Sequence, residues 1–485
     1  MASLWLAASL GPVDSAQAQL SCVGDLPGSI PAPVESDERL TFGIFPGGPA
    51  GVIAGPRPPA VPEDQTKIDA ALGQLSADRP FVVHQYMEYT APADSEEQLP
   101  AAEATTTYYA SHGLGVEWVL RYRPVNAPDV GGYVDFVREA VRRLGSLPSV
   151  EAIQVTNEAN FTVAPDAADG AYAGAPDALV AGVVAAKDEA LSRGALGLEI
   201  GFNWFYRTDP ASEQAFWSGL GAKGGAQFAE AVDWVGLDAY PETFFPPANT
   251  SRRGSMVNAM SVLRECLMPL AAIPASTPIH VTENGWPTAP NRSYEEQERA
   301  LREMVLAVHD FRAVYNVTDY RWFTLRDSNS SDPNFQQQYG LMRDDYTPKP
   351  AFGAYRDLIA ALGTGAPGSL GADCAIPING TPGRDELDGS AGGDLIDGAG
   401  GRDRIRGLAG DDCLTGGLGR DRVSGDDGAD RLHGGAGRDR LRGAAGDDRI
   451  DARGKGPDRV RCGPGRDVAL LDPRDRARGC ERVRA

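Results

Sequence analysis

The sequence predicts a (β/α)8 barrel followed by a thin parallel solenoid, and two patterns carry that prediction. Over residues 38–363, eight short apolar runs alternate with eight longer, Ala-rich stretches of helical period. From Gly380 the composition turns to Gly, Asp and Arg, and one apolar residue returns at every ninth position through eight repeats. At 485 residues the chain is too long for one ordinary core, so two or more domains are expected.

The strands are expected at 40–45, 80–89, 116–124, 150–158, 198–206, 232–241, 278–286 and 320–325. Each is a run of β-branched and aromatic residues of strand length. Helices are expected between and after them, at about 63–77, 95–111, 129–145, 177–194, 211–230, 255–271, 294–315 and 350–363. Asp129 reads as the N-cap of the third. Ser293 reads as that of the seventh, with Glu296 three residues on in capping-box spacing. An open doubly wound sheet is the competing arrangement, but no nucleotide-binding Gly-rich turn follows any early strand. A linker is expected at 364–378, the repeats at 379–451, and a closing cap at 452–485, where the register loosens.

The formal charge is −21, from 67 acidic and 46 basic residues. Such a balance argues against nucleic acid, whose phosphates need a basic stripe, and suits neutral or cationic partners, Ca²⁺ included. No run of 18 apolar residues occurs, so no membrane-spanning helix is expected. The segment 1–18 has a short apolar core ending in Ala16-Gln17-Ala18, which reads as a secretory leader without the usual basic start. An extracellular, monomeric protein is expected. The six cysteines form no C-x-x-C pattern, and Cys462 and Cys480 are placed to staple the final segment. Five scattered histidines give no zinc site, and no G-x-S-x-G elbow is present.

Two of the strand segments, "IQVTNEANF" (153–161) and "IHVTENGWPT" (279–288), end in a carboxylate. Glu158 closes the fourth strand, and Glu283 lies near the end of the seventh. Active sites of this barrel form at the C-terminal ends of the strands, so both carboxylates can face one cleft. Two carboxyl groups about 5–5.5 Å apart are what a retaining glycosidase needs, and their shared cleft raises the proton affinity of one of them.

The "TNE" and "TENGWP" strand ends resemble the clan A glycoside hydrolases, the four/seven superfamily, and the likeness covers residues 38–363. "ENGWPT" is also similar to the nucleophile segment of β-1,3-glucanases. The resemblance implies a carbohydrate substrate, with Glu158 as acid/base and Glu283 as nucleophile. It further implies Asn157 as the partner of the sugar 2-hydroxyl, Tyr240 beside the nucleophile, and Trp322 as an aromatic floor under the sugar. Arg121 and Arg123 end the third strand, where either a substrate contact or a salt bridge under the rim would suit them. Trp204, Tyr206, Phe244 and Phe245 follow strands five and six, placed for sugar stacking or for packing. Asp238 should share the inward face of Tyr240.

The repeats follow G-x-x-G-x-D-x-φ-x, with aspartates at Asp385, Asp394, Asp403, Asp412, Asp421, Asp430, Asp439 and Asp448. Their apolar residues are Leu387, Ile396, Ile405, Leu414, Val423, Leu432, Leu441 and Ile450. This pattern resembles the Ca²⁺-binding nonapeptide β-roll of RTX proteins, which implies aspartate and turn-carbonyl ligands for a hard cation. Two features depart from that family. Arg384, Arg402, Arg420 and Arg438 precede the aspartate, and glycine at the second position is mostly lost. A metal-free solenoid with Arg–Asp pairs between turns is therefore the alternative. The first reading is a secreted retaining glycosidase with a Ca²⁺-binding module that needs no catalytic cofactor. The other is a non-catalytic carbohydrate-binding or adhesin-type protein.

Overall fold

The computed structural model describes residues 33–484, apart from 35, 37, 49–58, 78, 126–127, 196, 208, 245–250, 365–375 and 455. The expected leader, Phe245 and most of the expected linker lie outside the described residues. Eight parallel strands close into a barrel, each paired with its neighbours in chain order and the first with the eighth. They are β1 (Thr41–Ile44), β2 (Phe81–Tyr89), β3 (Gly115–Tyr122), β4 (Val150–Val155), β5 (Glu199–Phe205), β6 (Trp234–Ala239), β7 (Ile279–Asn284) and β8 (Val317–Trp322). The helices are α1 (Gln65–Ser76), α2 (Asp94–Ser111), α3 (Val130–Leu144), α4 (Ala175–Arg193), α5 (Pro210–Ala231), α6 (Arg252–Ser261), α7 (Tyr294–Tyr315) and α8 (Pro350–Leu362).

The local sequence explains these elements. In α3, Tyr133, Phe136, Val137, Ala140, Val141 and Leu144 are buried, the i, i+3, i+4 stripe of an amphipathic helix. Asp129 caps α3 by accepting from the Gly132 N–H, and it also accepts the Tyr89 hydroxyl proton. Ser293 and Glu296 form the reciprocal capping box of α7. The expected sixth helix, 255–271, is not one regular α-helix. After α6 the chain widens to a π turn at Val262–Leu267 and tightens to a 3-10 turn at Met268–Ala271. Pro269 is the physical reason, because it has no N–H to continue an α-helical ladder. Among the described residues no helix is long and apolar enough to cross a membrane.

The repeats form a parallel solenoid in which residues 18 apart pair, so that two nonapeptides make one coil. One sheet stacks Glu386–Asp388, Arg404–Ala409, Arg422–Asp427, Arg440–Ala445, Arg459–Arg461 and Arg476–Arg478. The opposite sheet runs from Ile376–Asn379 through Asp394–Asp397, Cys413–Thr415, Arg431–His433, Arg449–Asp451 and Val468–Leu470 to Arg482–Arg484. The eight apolar positions are all buried between the sheets. The coils do not stop at Asp451. Arg440 pairs with Arg459 and Arg449 with Val468, a step of 19 that absorbs one extra residue and keeps the stack in register. A Cys462–Cys480 disulfide joins the last coils. The first coil rests on α7 of the barrel, where Ala391 N–H donates to Asp310 (2.9 Å) and Arg299 pairs with Asp385 (3.6 Å).

From the third repeat on, the second position keeps the backbone that glycine would adopt even where glycine is absent. Ala399, Leu408, Asp426 and Ala444 have φ of 61°, 81°, 71° and 91°. A Cβ in this region costs about 1 kcal/mol or more. Ala444→Gly is therefore expected to raise solenoid stability by about 1 kcal/mol, read as a higher urea midpoint at unchanged slope.

Candidate active site

The site is built where strands end. Just past β4, Thr156 and Glu158 both have positive φ (64° and 48°), a conformation that is costly for residues with a Cβ and typical of functional strand ends. The Glu158 N–H donates to Asn203 Oδ1 on β5 (2.7 Å). Asn203 Nδ2 donates in turn to Asn157 Oδ1 (3.0 Å) and to Asp238 on β6. Asp238 also accepts from Thr282 Oγ1 on β7 (2.6 Å). Between β6 and β7 the register shifts at Leu237/Asp238, so Thr282 can bond Asp238 while Glu283, the next residue, also reaches the cleft.

Carboxylate oxygens of Glu158, Asp238 and Glu283 lie within 4.8 Å of one another, and all three groups are buried. Two phenols hold Glu283: Tyr86 Oη donates to Oε1 (2.5 Å) and Tyr240 Oη to Oε2 (2.6 Å). Burial first and the Glu283 charge second push Glu158 well above the usual carboxylate range. Burial, then Glu283, then Glu158 do the same to Asp238. Both phenols are held protonated by burial and by Glu283.

Behind Tyr86 a polar chain runs down the barrel axis. His84 Nε2 lies 3.0 Å from the Tyr86 oxygen, and Nδ1 lies 2.8 Å from Glu117, which pairs with Arg321 (3.3 Å). Both ring nitrogens of His84 are thus engaged, one by the Tyr86 oxygen and the other by Glu117. Burial alone would raise Glu117, but His84 and Arg321 outweigh it and hold its carboxyl at about 2.

The cleft over these groups has a volume of about 330 Å³. Glu158, Glu283, Asn157, Tyr240 and Arg121 all line it. Phe161 and Phe205 stack with centroids 4.6 Å apart to form one wall, and Phe244, Phe323 and Tyr339 continue the aromatic surface. Arg121 bonds Glu88 (3.2 Å) and Asp169 (3.3 Å), so it is a salt bridge under the rim as well as part of the lining. Arg123 pairs with Glu88 and Asp166.

Trp322 and Trp204 do not reach the cleft. Trp322 is fully buried, its Nε1 donating to the Tyr339 carbonyl (3.3 Å). Trp204 packs on Trp217 of α5 and donates to Glu213 (2.5 Å). Their successors, Phe323 and Phe205, line the cleft instead. Alternation along a strand reverses the facing of a side chain with a shift of one residue, and the strand ends fix that parity. Tyr206 bonds Asn258 (2.7 Å) and is not a lining residue either. The sequence reading missed Tyr86, although His84, Tyr86 and Glu88 share one face of β2 by their period of two. It also missed Asp169, which accepts the N–H groups of Tyr122 and Asn157 (2.7 Å each) and so ties the ends of β3 and β4. Burial raises Asp169 to about 6.

In the solenoid each repeat aspartate from Asp403 to Asp448 places one oxygen on a backbone N–H of a neighbouring coil, while Asp385 and Asp394 accept from Thr381 and Ser390 of their own coil. Asp403 accepts from Asp385, Asp412 from Asp394, Asp421 from Asp403 and Asp430 from Asp412, at 2.8–2.9 Å. The other oxygen of Asp403, Asp412, Asp421, Asp430, Asp439 and Asp448 is buried without a hydrogen-bond partner, as it is in Asp458 and Asp467, beyond the expected set. Burial pushes Asp412 up to about 9 and Asp430 up to about 7. Buried oxygen donors of this kind fit Ca²⁺, a hard cation bound through carboxylates and carbonyls. The first glycine of a repeat shapes the same place: a Cβ on Gly425 would lie 1.9 Å from Asp430 Oδ2. Among the described residues no ion pair joins Arg384, Arg402, Arg420 or Arg438 to the repeat aspartates, so the Arg–Asp ladder does not form.

Three comparisons bear on these two parts. The family model described as "RTX calcium-binding nonapeptide repeat (4 copies)" matches residues 378–405, 388–423 and 424–454. The chain is 28% identical over 127 residues to a protein of Aspergillus niger named "Probable glucan endo-1,3-beta-glucosidase eglC", covering 25% of each chain. It is 29% identical over 132 residues to the protein of that name from Emericella nidulans, covering 26% of each. The chain thus spans about a quarter of the length of these curated relatives. A solved GH5_18 structure from Bifidobacterium longum aligns with TM-score 0.47 at 16% identity, over 72% of this chain and 84% of that one. The tail from 378 to 454 is thus similar to RTX-type repeats.

The carboxylate cluster makes a direct prediction. Removing the Glu283 charge with Glu283→Gln removes the second-largest cause of the Glu158 shift, so Glu158 is expected to titrate at lower pH in that variant. Carbon-13 NMR of labelled glutamate carboxyls would read it, and an unchanged titration would show that Glu283 does not act on Glu158.

Proposed function

We propose that the protein is a secreted retaining glycoside hydrolase acting on β-linked glucans, with residues 38–363 as the catalytic module and the repeats from 379 as a Ca²⁺-binding module. The single observation that carries this reading is the carboxylate geometry: oxygens of Glu158 and Glu283 lie within 4.8 Å, below the separation an inverting pair needs for an intervening water. The names of the fungal relatives point to β-1,3-glucan as the first substrate to try.

In the first step the protonated Glu158 gives its proton to the leaving glycosidic oxygen. Glu283 attacks the anomeric carbon, so that one C–O bond forms as another breaks. The Glu283 charge that kept Glu158 protonated is consumed as the ester forms, which leaves Glu158 free to act as base. It then takes a proton from water, whose oxygen displaces Glu283 and releases the sugar. Tyr86 and Tyr240 fix the nucleophile from both oxygens and restrain its rotation. Asn157 uses its side-chain oxygen on Asn203 and donates one amide proton to Ala167, which leaves a second proton for the sugar 2-hydroxyl. The aromatic walls offer faces for sugar rings.

Bound Ca²⁺ would neutralise the buried aspartates of the solenoid. Asp403, Asp412, Asp421, Asp430, Asp439 and Asp448, joined by Asp458 and Asp467, are the residues to hold it, through their unpartnered oxygens. Binding to such sites couples to folding.

Reducing-sugar release from a panel led by β-1,3-glucan tests the enzyme reading. Glu283→Ala and Glu158→Gln are each expected to lower kcat by about 10³-fold or more, and Tyr240→Phe by about 10²-fold. Activity should fall as pH rises through the elevated Glu158 value, because the acid must carry its proton. A panel on which the wild type and Glu283→Ala release equal sugar would end the proposal. For the module, removing Ca²⁺ with a chelator is expected to lower the solenoid's melting temperature and leave the barrel's unchanged, as followed by circular dichroism. A single, unaltered melting profile would count against metal binding.

A further inference from the structure

The solenoid carries a feature that neither glycan hydrolysis nor calcium uses. On its first sheet, Glu386, Arg404, Arg422, Arg440, Arg459 and Arg476 stand in one register column, coil upon coil. A parallel column runs beside it: Asp388, Arg406, Ser424, Arg442, Arg461 and Arg478. The turn arginines Arg402, Arg420 and Arg438 precede the first column and are exposed like it. Neighbouring rungs are about 4.7–4.9 Å apart, and like charges directly opposite each other on a sheet are destabilising. Acidic partners serve only the first rungs, with Glu386 3.3 Å from Arg404 and Asp388 2.6 Å from Arg406. Among the described residues no ion pair reaches Arg422, Arg440, Arg459 or Arg476. The charges of Arg422, Arg420, Arg459 and Arg402 weaken the hold of Arg440 on its own proton.

Residues 379–485 hold 21 basic and 21 acidic residues, so the charge of this face comes from placement and not from a net excess. Folding does not need it, since the outward residues of a solenoid need only be polar. All its basic groups are arginines, whose planar fork pairs with carboxylate or sulfate through two bonds. The second column borders a groove of about 500 Å³, where Arg442, Arg461 and Arg478 stand over Gly463 and Pro464, with Asp427 as its acidic member. From residue 364 to the end the sequence has no Phe, Tyr or Trp. Recognition here cannot use aromatic side chains, on which single-stranded bases and the ring faces of neutral glycans commonly stack.

We propose that this arginine face is a binding surface for an acidic polysaccharide, one with a carboxylate or sulfate on each successive sugar. A straight, evenly spaced double row of forks matches a linear chain of evenly spaced anions. The choice of polysaccharide among polyanions leans on the barrel being a glycan-binding cleft, but binding to the face is measurable without turnover.

The test uses the full, calcium-loaded chain and polygalacturonate as probe, with β-1,3-glucan, duplex DNA and phosphatidylglycerol vesicles alongside, by isothermal titration calorimetry. Polygalacturonate is expected to bind, and to weaken by about 10-fold or more between about 50 and 200 mM salt. The triple variant Arg422→Gln, Arg440→Gln, Arg459→Gln should lose that binding by about 10-fold or more, with β-glucan turnover unchanged. Its melting temperature should hold or rise, because mutual repulsion is removed. The corresponding triple Arg→Lys variant keeps the charge and should retain binding only in part, since lysine lacks the fork. Arg431→Gln with Arg449→Gln, on the opposite sheet, should bind as wild type. Absence of polygalacturonate binding, equal loss in the opposite-face variant, or tighter binding to DNA or vesicles would each overturn the proposal. Loss of glucan turnover alone would leave it standing and count only against the barrel reading.

Discussion

Three buried carboxylates that share one small space constrain the rest of the barrel. Glu158, Asp238 and Glu283 bring their oxygens within 4.8 Å, and three ionised groups cannot coexist there. Protons must be retained, and hydrogen-bond donors must converge on whichever oxygen stays charged. The structure supplies both. Tyr86 and Tyr240 converge on Glu283, while Thr282 and Asn203 converge on Asp238. The backbone N–H of Glu158 donates to Asn203 Oδ1, but no phenol donates to its carboxyl, and it is one of the two groups that burial and its neighbours push upward. Glu283, with a phenol on each oxygen, and Glu158, with none, are thus held differently.

That asymmetry reaches below the cleft. His84, Glu117 and Arg321 extend the Tyr86 contact into the barrel, with both ring nitrogens of His84 engaged. Buried polar chains of this kind restrict rotamers, because moving a member strands a buried partner. Asp169 plays the comparable part at the rim, where it takes the N–H groups of Tyr122 and Asn157 and the Arg121 guanidinium. The strain at Thr156 and Glu158 is held in place by these anchors.

The solenoid meets the same problem of buried negative charge with a different architecture. From Asp403 on, its repeat aspartates give one oxygen to the neighbouring coil and leave the other unpartnered. Its arginines, by contrast, point outward into solvent. The two kinds of charge are kept apart by the sheet itself, since alternate residues of a strand face opposite sides. Arg440 faces out and Leu441 in, and Asp439, just before them, is buried at the turn. Arg440 and Asp439, neighbours in the chain, are therefore held on different sides.

Periodicity made much of this legible in the chain alone. The eight strands and their helices, the capping box at Ser293 and the inward apolar residues of the repeats follow from local preference and burial pattern. So did the placement of Glu158, Asn157, Tyr240 and Glu283 at strand ends, which the closed barrel brings to one cleft. What sequence could not determine was facing at the strand ends. Trp322 and Trp204 turned to the core and Phe323 and Phe205 to the cleft, a parity that a shift of one residue would reverse. Tyr86 as a partner of Glu283 lay 197 residues away in the chain, beyond any local signal. The repeat's continuation past Asp451 was likewise hidden, since one inserted residue breaks a nine-residue pattern but only lengthens a coil to 19. Local chemistry sets which residues can form a strand, a cap or a turn; only closure of the barrel and stacking of the coils decide which charges and rings meet.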